Sequence, residues 1–403
     1  MARLLAAVMP TRRVEEISTL DAWGRVLSKD VVSTVDVPPQ DNSAMDGYAI
    51  RVSDLRGLAG AVLPVSQRIA AGQVGMPLVP GTAARIFTGA QVPEGADAVV
   101  MQEMCDAMPS PAAGVSLGSV RVREVPELAS AIRRRGEDVA RGHPVLHAGR
   151  RMDAAAIGMA ATVGMARLEV SARPRVALFS TGDELVMPGN SLPEGGIYNS
   201  NRFMLSALLR SQGCDVSDLG NIPDCLEATR ATLRGAAGGH DLILSSGGVS
   251  VGEEDYLKPA LAAEGRLELW AIAIKPGKPL AFGAVKRAGG ETWFIGLPGN
   301  PVSSFVTFAI FVRPVLARLQ GMQIGAPLGL PVRADFSWPK PDKRRQYLRV
   351  RRNGQGGLEL YGAQGSGVLT SLTWCDGLAD IAPGQVVMPG DLVNYLSLAE
   401  LAV

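Results

Sequence analysis

Four short segments in the second half of the chain gather residues suited to holding a phosphorylated ligand and a cation: STGDEL at 180 to 185, IPD at 222 to 224, SSGGVSVGEEDY at 245 to 256 and GLPGNPVSS at 296 to 304. Ser245, Ser246, Gly247 and Gly248 follow an apolar run directly, and N–H groups unobstructed by a Cβ let an anion come close. Pro298, Gly299, Asn300 and Pro301 lead into Val302-Ser303-Ser304, where a helix start offers a second anion site. One Gly-rich turn is usually only a turn, but two, each expected at its own strand end, point to a nucleotide or phosphate site. Glu184, Asp224 and Asp255 place acids on three of these segments, and hard oxygen ligands are what Mg²⁺ beside a phosphoanhydride requires. Each acid also has a plainer reading: Asp224 as half of a capping box with Glu227, Asp255 as the complement of a helix dipole, Glu184 as a solvated turn residue. Lys275 and Lys278, on the stiff turn of KPGKPLAFG, are either solvated or hold an oxyanion such as molybdate or phosphate.

The elements expected to carry these segments alternate. Arg175 to Phe179 reads as a buried strand, Asn201 to Gln212 and Asp224 to Ala237 as helices, and Asp241 to Leu244 as a strand. Further strands near Leu267 to Ile274 and Thr292 to Ile295, then a helix from about Val302 to Leu319, complete an open, mostly parallel α/β sheet. In such a sheet ligands gather beyond the carboxyl ends of the strands. Between 41 and 137, short Val/Ile/Leu runs broken by Pro and Gly predict a β-rich domain, and the tail from about 321 predicts a small all-β module. A stripe at Met152, Ala155, Ala156, Met159, Ala160 and Val163 predicts a helix, expected to pack against another over Val14 to Ser28.

Composition narrows the partners. Lys plus Arg total 40 against 39 for Asp plus Glu, so no global charge favours nucleic acid or an anionic membrane. Cys105, Cys214, Cys225 and Cys375 show no zinc-ligand or Cys-x-x-Cys spacing and read as thiols of a reducing compartment. His143 and His147 flank Pro144 and share no helical face, and with His240 they read as structural. No clean stretch of about 18 apolar residues and no secretory core is evident, so a cytoplasmic location is expected.

DNSAMDGYA at 41 to 49, RIFTGA at 85 to 90 and RRGEDV at 134 to 139 extend the pattern upstream. Together with the four loops, these motifs are similar to those of the molybdopterin molybdenumtransferase family, which includes MoeA and the gephyrin E-domain, and the likeness covers essentially the whole chain. The resemblance implies an α/β plus β fold in an elongated homodimer. Its four parts would be a discontinuous helical and linking domain (1 to 40 and 138 to 173), an inserted β domain (41 to 137), a doubly wound molybdopterin-binding α/β domain (174 to 318) and a C-terminal β-barrel (319 to 403). The acidic site positions of the family fall on Asp46, Asp138, Glu184, Asp224 and Asp255, with Glu184, Asp224 and Asp255 as the metal-binding set. Its other functional positions include Thr88, Lys275, Lys278, Pro298 and Pro301, and a barrel segment adds Ser371. In KRRQYLR, Lys343 and Gln346 replace the glycine and the acid of the family pattern, so that stretch assigns no role to Arg344 and Arg349.

The implied reaction is Mg²⁺-dependent insertion of molybdate into adenylylated molybdopterin with release of AMP, with a molybdopterin adenylyltransferase as upstream supplier. Either molybdate or water could provide the attacking oxygen. The alternatives are an adenylyltransferase, which the added β domains disfavour, and a non-catalytic scaffold, which the retained acids disfavour.

Overall fold

Successive residues of Arg175–Thr181 point to opposite faces of a sheet, and each face has its own helices to meet. In the computed structural model, which describes residues 2–109, 117–249, 256–323 and 329–402, Val176 and Leu178 pack with Leu205, Leu209, Val302 and Val306. Ala177 and Phe179 pack on the other side with Leu233, Ala237, Leu257 and Leu261. The six strands lie in the order Asp215–Ile222, Arg175–Thr181, Leu242–Ser246, Gly290–Leu297, Pro279–Arg287, Gly265–Ala271. The first four run parallel; Pro279–Arg287 runs against them, and Gly265–Ala271, antiparallel to it, returns to their direction. Chain order reverses direction between Arg175–Thr181 and Leu242–Ser246, so the helices that follow these two strands leave to opposite faces and a crevice opens between the strand ends.

Helix Pro301–Leu319 is long and apolar enough to cross a bilayer by length and mean hydropathy, 1.6, although Ser303, Ser304, Thr307, Arg313 and Arg318 keep it from being a clean apolar stretch. Most of it, 89% of an 18-residue window, is buried inside the protein, as in a core helix. A wide π turn at Phe308–Val312 interrupts it just before Pro314, which cannot donate to the preceding turn.

The N-terminal region departs from expectation in two ways. Val14–Ser18 is a strand paired antiparallel with Arg167–Ser171, not the start of a helix. Gly24, at φ +71°, would also interrupt any helix drawn to Ser28. Residues before it belong elsewhere: Leu4 and Val8 are buried with Leu316 and Leu319 in the α/β core, and the Arg13 guanidinium pairs with Asp241. The core built from Leu27, Val31, Leu146, Met152, Ala156, Ala160 and Val170 joins segments on either side of the insertion. Its helix, Ala154–Thr162, is capped by the Asp153 carboxylate, which accepts from the Ala156 N–H.

The inserted sheet runs in the order Ala98–Met101, Gly47–Ile50, Ala83–Ile86, Val62–Ile69, Ser119–Val122, Cys105–Met108. It buries Tyr48, Leu63 and Val120 on one face and Ala49, Ile69 and Ile86 on the other. The C-terminal sheet is built on Arg345–Arg352, Gly377–Ile381, Leu392–Ser397 and Leu330–Arg333. Ile274–Lys275 adds to its edge, parallel to Arg345–Arg352, and so couples it to the α/β layer.

Candidate functional site

A cavity of about 440 Å³ opens at the carboxyl ends of the parallel strands, within the size range of small-molecule sites. Thr181, Gly182, Glu184, Asn201, Asp224, Ser246, Gly247 and Gly248 line it, together with Pro298, Gly299 and Asn300. All four loops singled out in the sequence therefore meet in one place, carrying two carboxylates and two glycine-rich turns.

The four loops end on adjacent strands, and the geometry of Gly247 and Gly248 lets the SSGG turn pack closely among them. Both have left-handed backbones, at φ +91° and +66°. A Cβ on Gly247 would stand 2.6 Å from the Thr181 carbonyl oxygen, and one on Gly248 would stand 2.7 Å from Leu257. Only glycine lets this loop lie against the end of the neighbouring strand. The Gly247 N–H donates to Leu297 O at 3.0 Å and so ties the SSGG loop to the strand leading into Pro298. Among the described residues the Gly248 N–H meets no acceptor, so of this pair it is Gly248 that has a donor to offer an anion.

Asn201 completes the tie. Its Nδ2 donates to Ser246 Oγ at 2.8 Å and to Gly299 O at 2.7 Å, bridging the two turns. The Gly299 carbonyl can only accept, which fixes the orientation of the amide. The side chain is 7% exposed, and its Oδ1 has no partner among the described residues. Sequence reasoning passed over Asn201 because it sits inside a helix, Ser200–Ser211. The available signal was an amide in register with the apolar stripe of Leu205, Leu208 and Leu209, a position where a packing helix would carry a hydrophobe.

Several expected residues stand apart from the cavity. Ser245 is fully buried and does not line it, because strand alternation turns Ser245 and Ser246 to opposite faces. Pro301 occupies the first helical position beyond the lining residues. Asp224 does not cap the following helix as expected: Cys225 holds the capping position without a side-chain bond, and Glu227 pairs with Arg230. Asp255 lies outside the described residues. Lys275 donates to Asp342 at 3.3 Å, in the loop that leads into the strand Arg345–Arg352, and Lys278 is exposed. The Ser371 hydroxyl is buried, accepting from Arg349 Nε at 3.2 Å and donating to Val368 O. Arg349 itself is 1% exposed, and burial pulls its guanidinium down to about 10.

Asp46, Thr88 and Asp138 lie in or beside the inserted domain, and no described residue of 41–137 lines the cavity. The Thr88 N–H and hydroxyl both donate to Asp46 Oδ1, at 2.8 and 2.7 Å. These bonds, with Arg85 nearby, hold the half-buried Asp46 carboxyl below its ordinary value and leave Oδ2 open. Asp138 is exposed, and its N–H donates to Val37 O at 3.0 Å.

Comparison with known proteins decides the family. A model described as MoeA N-terminal region (domain I and II) matches residues 1–164, a probable molybdopterin binding domain matches 177–318, and MoeA C-terminal region (domain IV) matches 331–398. The molybdopterin molybdenumtransferase of Haemophilus influenzae is 39% identical over 89% of this chain and 86% of its own. The chain belongs to the molybdopterin molybdenumtransferase family. Molybdopterin molybdenumtransferase 2 of Mycobacterium tuberculosis is 37% identical over all of this chain and 97% of its own. Among solved structures, the molybdopterin biosynthesis moeA protein of Pyrococcus horikoshii matches with a TM-score of 0.84 and 27% identity, over 98% of this chain and 97% of the other. The molybdenumtransferase family architecture thus extends over the full chain, inserted and C-terminal sheets included.

Proposed function

We propose that the chain inserts molybdate into adenylylated molybdopterin and releases AMP, in a Mg²⁺-dependent reaction fed by a molybdopterin adenylyltransferase. The observation that carries this reading is the convergence of two glycine-rich turns and two carboxylates on one cavity at the strand-order reversal. The Gly248 N–H and the turn over Pro298, Gly299 and Asn300 bind the phosphoanhydride region, and Asn201 keeps the two turns at a fixed separation. Lys275 and Lys278, near the junction with the C-terminal sheet, attract the molybdate oxyanion, whereas the buried Ser371 hydroxyl is already engaged with Val368 and Arg349.

Glu184 and Asp224 fit a magnesium ion, because Mg²⁺ is usually held by one or two carboxylates with substrate phosphates and water completing the octahedron. When bound there, the ion neutralises charge on the phosphoanhydride. The three buried cysteines have thiols that burial pushes up to about 11 or 12, so none of them is poised as a nucleophile. Turnover then depends on positioning and electrostatics.

Asp46, Thr88 and Asp138 take part when a second copy of the chain presents its inserted domain to the cavity of the first. That no described residue of 41–137 lines the cavity favours this arrangement, as do Leu20 and Trp23, which are 89% and 66% exposed.

Product analysis tests the reading. Incubated with adenylylated molybdopterin, molybdate and Mg²⁺, the protein should yield AMP and molybdenum-bearing cofactor in equal amounts without consuming ATP, and a chelator should stop it. ATP-dependent loading of AMP onto molybdopterin, or no change in nucleotide and metal, would exclude the proposal.

A further inference from the structure

The inserted sheet places two arginines side by side where a sheet ordinarily avoids like charges. Arg68 and Arg85 are register partners on neighbouring parallel strands, and Tyr48 is the partner of Arg85 on its other side. Directly opposed like charges in a sheet are destabilising. Both guanidinium groups lie against one aromatic ring: Arg68 Cζ is 4.5 Å and Arg85 Cζ 4.7 Å from the centroid of Phe87, with Arg85 also 5.1 Å from that of Tyr48. Arg85 is held from below, its Nη1 donating to Gly47 O at 3.1 Å and its Nη2 to Gln102 Oε1 at 2.7 Å. Among the described residues neither guanidinium pairs with a carboxylate. The neighbouring acids are engaged elsewhere, Asp106 with Arg123 and Glu103 with Gln102.

Two neighbouring cations with no carboxylate ion pair among the described residues, one of them fixed by two hydrogen bonds and both braced on a ring, suit an anion that bridges them. Guanidinium forks match the oxygens of a tetrahedral oxyanion. We infer that Arg68, Arg85 and Phe87 form an oxyanion-binding surface beside Asp46 and Thr88, which holds either a phosphate of the adenylylated pterin or molybdate during the reaction. This rests on the reading that the inserted domain takes part in molybdenum insertion. Arg85 also acts on Asp46, whose carboxyl it helps to hold ionised. The surface thus offers an anion site and a free carboxylate oxygen next to each other, as a ligand carrying both oxyanion and bound cation would require.

The test uses the full-length protein and the variants Arg68→Gln, Arg85→Gln and Arg85→Lys, with KM measured separately for adenylylated molybdopterin and for molybdate. Each glutamine variant should raise one of these KM values about tenfold, on the order of one charge-assisted hydrogen bond, with kcat changed far less. Arg85→Lys should recover part of the loss. A rise for the pterin assigns the surface to phosphate and a rise for molybdate assigns it to the metal oxyanion. The melting temperature of Arg68→Gln should not fall, because the substitution removes a repulsion, whereas Arg85→Gln also loses two hydrogen bonds that Arg85→Lys keeps in part. Unchanged KM values for both substrates would overturn the inference while leaving the proposed function standing. So would activity losses that simply follow a lowered melting temperature with no recovery in Arg85→Lys. An inactive wild-type protein would overturn the proposed function and this inference with it.

Discussion

The α/β cavity and the inserted sheet both carry acids expected at the site, yet they are built by different means. In the cavity, position follows from topology: four loops end on adjacent strands, and the strand-order reversal brings them together. In the inserted sheet, position follows from side chains, with Thr88 pinning Asp46, and Arg68 and Arg85 sharing Phe87. The first region should tolerate little change in backbone and the second little change in charge. The difference also suggests a division of labour, in which the cavity binds and the inserted sheet is brought to it.

Exchanging the cavity acids should have the largest effect. Glu184→Gln and Asp224→Asn should each reduce turnover about a hundredfold or more, the scale of losing one electrostatic contact at a reacting centre, while the circular dichroism spectrum stays that of the wild type. Full activity in either variant would remove that acid from the comparison. A backbone change comes next. Gly247→Ala meets both a left-handed φ and the Thr181 carbonyl, so it should cost about 1–3 kcal/mol in denaturant unfolding and abolish ligand binding with it. Ala at this position with wild-type stability would mean the turn is not set by its backbone.

Asn201→Leu should be milder. It leaves Gly299 O and Ser246 Oγ without their donor, for a cost of about 1–3 kcal/mol, and its KM for the pterin should rise more than its kcat falls. An unchanged KM would show that the two turns hold their spacing without the bridge. The smallest effect belongs to the inserted sheet. Thr88→Val removes the larger of the two hydrogen-bond contributions that depress Asp46, so the Asp46 titration followed by carbon-13 NMR should move up toward the ordinary value of 3.8. Because the folded carboxyl titrates below the unfolded one, the Thr88 bonds stabilise the fold above the unfolded value. That contribution disappears as pH falls through the folded value. No movement would mean the backbone N–H alone holds the carboxylate.

These regions differed in how far they could be read from sequence. Gly-rich loops after apolar runs are legible because the φ and space requirements of Gly247 and Gly248 leave few other residues possible. The phase of Ser245 against Ser246 was not, since a one-residue shift reverses every side chain of a strand. Asp215–Ile222 was recognised only by its terminal loop: it is an edge strand, mostly exposed, with no apolar run to announce it. The strand Pro279–Arg287 was hidden behind the KPGKP turn that starts it. The N-terminal segment misled through composition, because the pairing of Val14–Ser18 with the distant Arg167–Ser171 is decided by tertiary contact and not by local propensity. In the inserted domain the motifs were legible, but the shared stacking of Arg68 and Arg85 on Phe87 depends on strand register and was not.

The claim that two regions from two copies make one site can be tested directly by mixing subunits. Asp46→Asn and Glu184→Gln proteins, each inactive alone, are unfolded together in equal amounts and allowed to re-associate, and molybdenum insertion is measured on the pool. Half the dimers should be mixed, and each mixed dimer should contain one site with both lesions and one with neither, so the pool should regain roughly a quarter of wild-type activity. If native mass spectrometry finds the mixed dimers and activity remains at the level of the parents, each site is built within a single chain and the account is contradicted.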